Sequence, residues 1–144
     1  MIKIKTRRKK TDKQKMEAML DTLYSEYIRK RAMKLVGGCQ RPACNRSKRS
    51  YQELDAAHLH SRNKRTVRWD PRNGVGLCGG CHRYIDSNKE AKIALEIEIL
   101  GQEEYERLYV QAEMTTKTAP IDHKLIELQL RELLKEVNLE RNTV

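Results

Sequence analysis

Two short cysteine pairs, Cys39-x4-Cys44 and Cys78-x2-Cys81, separated by 33 residues, constrain this chain more than any other feature. Each spacing places two thiols on one tight turn, and a fold that joins the turns offers four sulfurs to a single tetrahedral zinc ion. An oxidising compartment would instead favour two disulfides, whereas a reducing one keeps the thiolates for metal. A metal staple suits the composition. The chain has 144 residues, room for one domain with appended helices, and 38% of them are hydrophobic, with one Trp and no Phe. That predicts a modest core, which zinc would reinforce.

Charge is spread unevenly. Residues 1–72 carry 21 Lys and Arg against 7 Asp and Glu, whereas residues 73–144 carry 9 against 13, within a formal total of +10. The N-terminal half therefore has the composition of a polyanion binder. Basic surfaces also suit anionic membranes, but no apolar run approaches the roughly 20 residues of a spanning helix. The opening MIKIKTRRKK lacks the apolar stretch of a secretory signal. The expectation is a soluble, cytoplasmic protein with a nucleic acid rather than a membrane as partner.

Periodicity divides the chain into stretches. Residues 1–10 are expected to form a basic, mobile arm. From Asp12 to Val36 apolar residues recur at Met16, Met19, Leu20, Leu23, Tyr27, Ile28, Leu35 and Val36, the pattern of one helical face. Thr11 with Gln14 reads as a capping box, and Gly37-Gly38 as a stop. A short strand is expected near Leu54–His60, and a second extended run near Val67–Leu77, broken by Asp70-Pro71 and glycines. A helix should start at Cys81, and further helices should cover Glu90–Leu100, Glu103–Glu113 and Pro120–Leu139. In the last of these, Ile121, Leu125, Leu128, Leu133, Leu134 and Val137 make an apolar stripe that suits either the core or the seam of a homodimer. The fold class is α+β, divided as 1–38 (arm and long helix), 39–100 (zinc-bound core) and 101–144 (helical extension).

Within the zinc-bound segment, His58-x14-Asn73-x8-His82 is nested among the cysteines. Hydrolysis of a phosphodiester requires a base near the attacking water and a cation on the phosphate. A strand histidine held by a carbonyl or amide can turn its free ring nitrogen to a phosphate, which suits His58. A histidine at a helix start can ligate a divalent ion where the helix N-terminus attracts an anion, which suits His82. Asn73 suits neither task, and its amide fits better as a tie that orients the loop around His58. Between His58 and Asn73 lie Arg62, Lys64, Arg65 and Arg68, where a phosphate track to the site would run. Trp69 is expected in the core.

His58, Asn73 and His82, with the four cysteines, resemble the HNH endonucleases of the ββα-metal class over about residues 39–88. Ala57-His58-x-His60-Ser61-Arg62, Thr66-x-Arg68-Trp69-Asp70-Pro71-Arg72-Asn73 and the knuckle Cys78-x2-Cys81 are more particularly similar to the NinG (Rap) family of phage recombination proteins, which act on branched DNA. The resemblance implies a ββα-metal core with His58 as general base, His82 as ligand of a catalytic Mg²⁺, Mn²⁺ or other divalent ion, Cys39, Cys44, Cys78 and Cys81 on a structural Zn²⁺, and DNA, branched DNA included, as substrate. It also implies a phage origin and hence the host cytoplasm.

Most HNH sequences place Asp or His directly before the base, as an ion ligand, where this chain has Ala57. His60, two residues beyond His58 on a continuing strand, is the geometric substitute; Asp55 is the chemical one for a hard ion. NinG-like sequences often carry Asn where this chain has His82. A non-enzymatic, zinc-stabilised nucleic-acid-binding module is the alternative to the nuclease.

Overall fold

The computed structural model describes residues 2–4, 6–44 and 46–139. The chain is α+β: the described residues form five α-helices and one two-stranded antiparallel sheet. Helix α1 spans Asp12–Val36 and strand β1 Asp55–His58. Strand β2 spans Gly74–Leu77, and α2 Gly79–Ser87, α3 Lys89–Leu100, α4 Gln102–Ala112 and α5 His123–Leu139 follow. Single 3-10 turns at Tyr51–Glu53, Arg65–Val67 and Pro71–Asn73 shape the connections. Among the described residues no helix is long and apolar enough to cross a membrane.

The α1 limits follow from its caps. Thr11 Oγ1 accepts from Gln14 N (3.2 Å), Gln14 Oε1 accepts from Thr11 N (2.9 Å), and Gly37 closes the helix at φ 68° with its N–H on Met33 O. This left-handed cap is cheap for glycine because it has no Cβ. Residues 2–4 and 6–10, part of the expected arm, are exposed and outside any helix or strand; Met1 and Lys5 lie outside the described residues.

Strand pairing runs Asp55 with Leu77, Ala56 with Gly76, Ala57 with Val75 and His58 with Gly74. Alternation then sends the two faces to different cores. Ala57, Val75 and Leu77 pack with the cysteines, Leu54, Ile85 and Leu95, whereas Ala56 meets a second cluster made by α1 and α5. The second cluster joins Leu20, Tyr24, Tyr27 and Ile28 of α1 to Leu130, Leu134 and Val137 of α5, with Trp69 buried among them. Full burial of a side chain such as Ile28 contributes about 1.5–3 kcal/mol.

Helix α1 also lies directly on β2. A Cβ on Gly74 would come within 2.5 Å of Tyr24 Oη and 2.7 Å of Ile28, and one on Gly76 within 2.4 Å of Ala32 Cβ. Two glycines facing a helix thus set how near it approaches the sheet.

Several boundaries differ from the expected ones. β1 ends at His58, two residues short, because the chain turns after Leu59 to bring His60 under Asn73. The expected second extended run keeps only Gly74–Leu77 as strand, since 3-10 turns occupy Arg65–Val67 and Pro71–Asn73. Helix α2 begins at Gly79, with Cys78 as N-cap, rather than at Cys81. On α5 the buried face is Leu130, Leu134 and Val137 with Glu127, whereas Leu125 and Leu128 of the expected stripe are exposed. Leu35 and Val36 at the end of α1 are likewise exposed.

Candidate functional site

The four cysteines converge. Their sulfurs all lie within 4.8 Å of one another, with Cys44 and Cys78 at 3.8 Å. That last value matches the edge of about 3.8 Å in a tetrahedron built on Zn–S bonds of about 2.3 Å. The donor set, four free thiols on two turns, is compatible with a structural Zn²⁺.

Backbone bonds build each turn. Cys39 N donates to Arg46 O, and Cys44 N to Arg41 O. Gln40 stitches the first turn to the strand that leads into the second, its N–H on Gly76 O (2.9 Å) and its Oε1 accepting from Gly76 N (2.8 Å). The thiols differ in acidity. Burial pushes Cys39 up to about 12; burial opposes ionisation of Cys78 too, but hydrogen bonds from the Cys81 backbone and the neighbouring thiols outweigh it and bring Cys78 down to about 7. Arg41 adds a cation, with Nη1 3.6 Å from Cys81 Sγ and its guanidinium over the Tyr84 ring.

On the other face of β1, a cavity of about 430 Å³ opens between α1, β1, α2 and α3. Its wall includes His58, His82, Asp86, Lys92, Arg62 and Asp21. His58 Nε2 lies 3.0 Å from Arg68 O. A carbonyl only accepts, so Nε2 carries the proton and Nδ1 keeps its lone pair. The ring stacks on Tyr24 at 5.2 Å between centroids. Burial, aided by the Arg62 charge, pushes the His58 pKa below the ordinary histidine value, against the pull of the Arg68 carbonyl and Asp21.

Asn73 is wholly buried. Its Oδ1 accepts from His60 N (2.7 Å), and Nδ2 donates to His60 O and Val67 O (both 3.0 Å). Its own carbonyl accepts from Leu59 N (2.8 Å). One amide therefore closes the loop that leaves β1 just after His58 and returns at β2.

His82 stands in the first turns of α2. Its Nδ1 lies 3.0 Å from Asp55 Oδ2, and its Nε2 lies 3.3 Å from Asp86 Oδ2, one helical turn on. Lys92 Nζ is 3.8 Å from the other Asp86 oxygen. Metal-ligating histidines commonly donate their other ring N–H to a carboxylate, and His82 has a carboxylate at each ring nitrogen. The 3.3 Å separation is near the spacing of about 3 Å between adjacent ligands on a small octahedral cation. Asp55 thus adjoins His82 although it sits on the opposite strand face from His58. His60 does not join them. Its Nε2 donates to the buried Glu96 Oε1 (2.6 Å) and its ring meets Tyr109, on the side of α3 and α4. Among the described residues, no set of three or more His, Cys, Asp or Glu ligand atoms converges apart from the cysteines.

No family model, curated protein or solved structure matches this chain. Its own side chains carry the functional reading.

The expected phosphate track is engaged internally. Arg68 forks onto Asp21 (Nε 3.2 Å, Nη2 2.7 Å) and also meets Glu17. Arg62 reaches Asp21 (2.7 Å), Arg65 pairs with Glu17, and Lys64 with Glu113 (2.9 Å). The more exposed of these cations, Arg62 and Lys64, remain at the surface, whereas Arg68 is largely buried. Asp86, Lys92, Tyr24 and Asp21 join the cavity wall without belonging to the His–Asn–His pattern. Asp86 has a sequence signal, the i+4 position from His82 on one helix. Lys92, Tyr24 and Asp21 reach the cavity only through packing between distant segments.

Proposed function

We propose that this protein is a metal-dependent DNA endonuclease of the HNH type, with a ββα-metal core closed by a structural zinc. The observation that carries the reading is a single cavity holding both halves of a hydrolytic site. His58, whose Nε2 is taken by the Arg68 carbonyl, stands on one wall, and the His82–Asp86 pair stands on another.

In this reading His82 Nε2 and Asp86 would hold a divalent ion, and Asp55, at the other ring nitrogen, would fix the His82 tautomer. Such an ion, when bound, would supply positive charge to stabilise the phosphate in the transition state. His58 Nδ1 takes a proton from water as its oxygen forms a bond to phosphorus. The phosphorus–oxygen ester bond breaks, and the leaving oxygen takes a proton from solvent. Lys92 and Arg62, on the cavity wall, meet the phosphate charge. Asn73 holds the loop so that His58 keeps its place. The exposed basic residues of 2–4 and 6–10 add contacts to the DNA backbone, which give affinity but carry no sequence information.

Cleavage of labelled linear duplex and four-way-junction DNA over a series of divalent ions, with EDTA controls, tests this reading. Wild type should cut in an ion-dependent manner and His58→Ala should lose at least about 100-fold, the share a general base commonly contributes. Preferential cutting of the junction would place the substrate among branched DNAs. The alternative is a zinc-stabilised DNA-binding module without turnover. It is favoured by Ala57, whose buried methyl packs toward the cysteines and offers no ligand where related sites have one. Salt-sensitive binding with no cutting in any ion would establish the alternative.

A further inference from the structure

We infer that Asp21 of α1 is a positioning residue for His58, acting through the loop residues Arg68 and Trp69. The orientation of the His58 ring depends on one peptide carbonyl, Arg68 O, which accepts from Nε2. Asp21 grips the residues on both sides of that peptide. Its Oδ1 accepts from Arg68 Nε (3.2 Å) and Trp69 Nε1 (2.9 Å), and its Oδ2 from Arg68 Nη2 (2.7 Å). Two χ-rich side chains are thereby fixed to one carboxylate, and the carbonyl between them has little freedom to swing. Charge-assisted bonds of this forked kind are short and directional.

Tyr24, one turn further along α1, extends the same grip. Its hydroxyl donates to Asp70 O (2.8 Å), the second carbonyl after that of Arg68, while its ring lies against the His58 ring. Successive turns of one helix thus hold residues 68, 69 and 70 and one face of the imidazole. The ring is thereby held at two points, with Nε2 on the carbonyl and one face on Tyr24, on the wall of the cavity. Arg68 in this account is a framework cation rather than a phosphate contact, consistent with its burial and with its ion pairs to Asp21 and Glu17. Arg62, which reaches the same carboxylate from the surface, is the member of the group able to exchange Asp21 for phosphate.

The kinetic part of this inference rests on the reading of His58 as the base; the structural part does not. The test is ring ¹⁵N NMR of the full-length, zinc-loaded protein, with Asp21→Asn compared with wild type at a pH where His58 is neutral. Wild type should show His58 as a single Nε2–H tautomer. Asp21→Asn should show a mixture of tautomers, with kcat for DNA cleavage lowered about tenfold or more, a share of what a general base contributes, and KM changed less than about twofold. Retention of the single tautomer in the variant would overturn the proposal. So would a raised KM at unchanged kcat, which would make Asp21 a determinant of DNA contact alone. Should Asp21→Asn fail to hold zinc or fold, Arg68→Lys, which keeps the charge but loses the fork, is read by the same criteria. If wild type cuts no DNA, the nuclease reading falls, and the tautomer comparison still decides the role of Asp21.

Discussion

His60 Nε2 and Glu96 Oε1 meet at 2.6 Å in a pair that is almost entirely shielded from water, between the end of β1 and α3. Breaking such a pair from one side strands the other group without a partner, a loss of about 3–5 kcal/mol. His60→Ala should therefore destabilise the protein by about that amount in urea unfolding. The double replacement His60→Leu with Glu96→Leu should recover much of the loss, because it leaves no buried charge behind. Divalent-ion binding at His82 should be unaffected by His60→Ala in protein that remains folded, since the two histidines face different elements.

Zinc removal should be felt as loss of fold rather than of one contact. The cysteines belong to the same packed cluster as Val75, Leu77 and Ile85, and metal binding at such sites is coupled to folding. One Zn²⁺ per chain is expected by atomic absorption. Cys78→Ser should lower that stoichiometry and reduce the cooperativity of thermal unfolding followed by circular dichroism, and excess chelator should do the same to wild type.

Asp86→Asn and Asp55→Asn should separate a ligand from its support. Titration of the zinc-loaded protein with Mn²⁺, followed by electron paramagnetic resonance, should show weakened binding for both. The Asp55 variant should lose about 10- to 100-fold, as replacements beyond the ligand shell commonly do, and Asp86→Asn should lose more. Equal and unchanged affinities in the two variants would place the ion elsewhere.

The acidity of His58 gives a signed pH dependence. Burial holds its pKa below the ordinary value of 6.5, so the neutral, proton-accepting form persists into weakly acidic solution. Cleavage should rise with pH and level off with an apparent pKa below 6.5, to be read from kcat/KM profiles. The folding linkage has the same direction. The unfolded chain takes up this proton first as pH falls below about 6.5, so the stability held above that value diminishes until the folded-state pKa is passed. His58→Gln should remove this part of the acid dependence and leave the rest.

Parts of this architecture are legible in local sequence. Thr11, Gln14 and Gly37 delimit α1 because caps act over three or four residues, and each bond they announce is present. The cysteine convergence is legible for a similar reason, since both spacings are local and only their meeting is long-range. His60 shows where such reasoning fails. A two-residue alternation puts it beside His58 only if the strand continues, and the three side-chain bonds of Asn73, 13 residues away, turn the chain instead. The basic run from Arg62 to Arg68 looks solvent-bound in one dimension. Lys64 meets Glu113, and the partners of the three arginines, Glu17 and Asp21, lie more than 40 residues earlier, on a helix whose polar positions carry no mark of what they will meet. On α5, Leu125 and Leu128 satisfy a helical period as well as Leu130 does, and only the placement of α1 decides which face is covered.

The glycines at 74 and 76 let α1 rest on the sheet, and the same helix supplies Asp21, Tyr24 and Ser25 to the cavity wall. Residues 39–100 contain every member of the His–Asn–His set and every cysteine, yet they are not a portable cassette. Grafted into another protein, that segment would bring its histidines without the surface they lean on, and its host would have to provide a substitute for a helix that ends more than 40 residues before α2 begins. Transplanting this site means transplanting α1, and with it the α5 that covers α1.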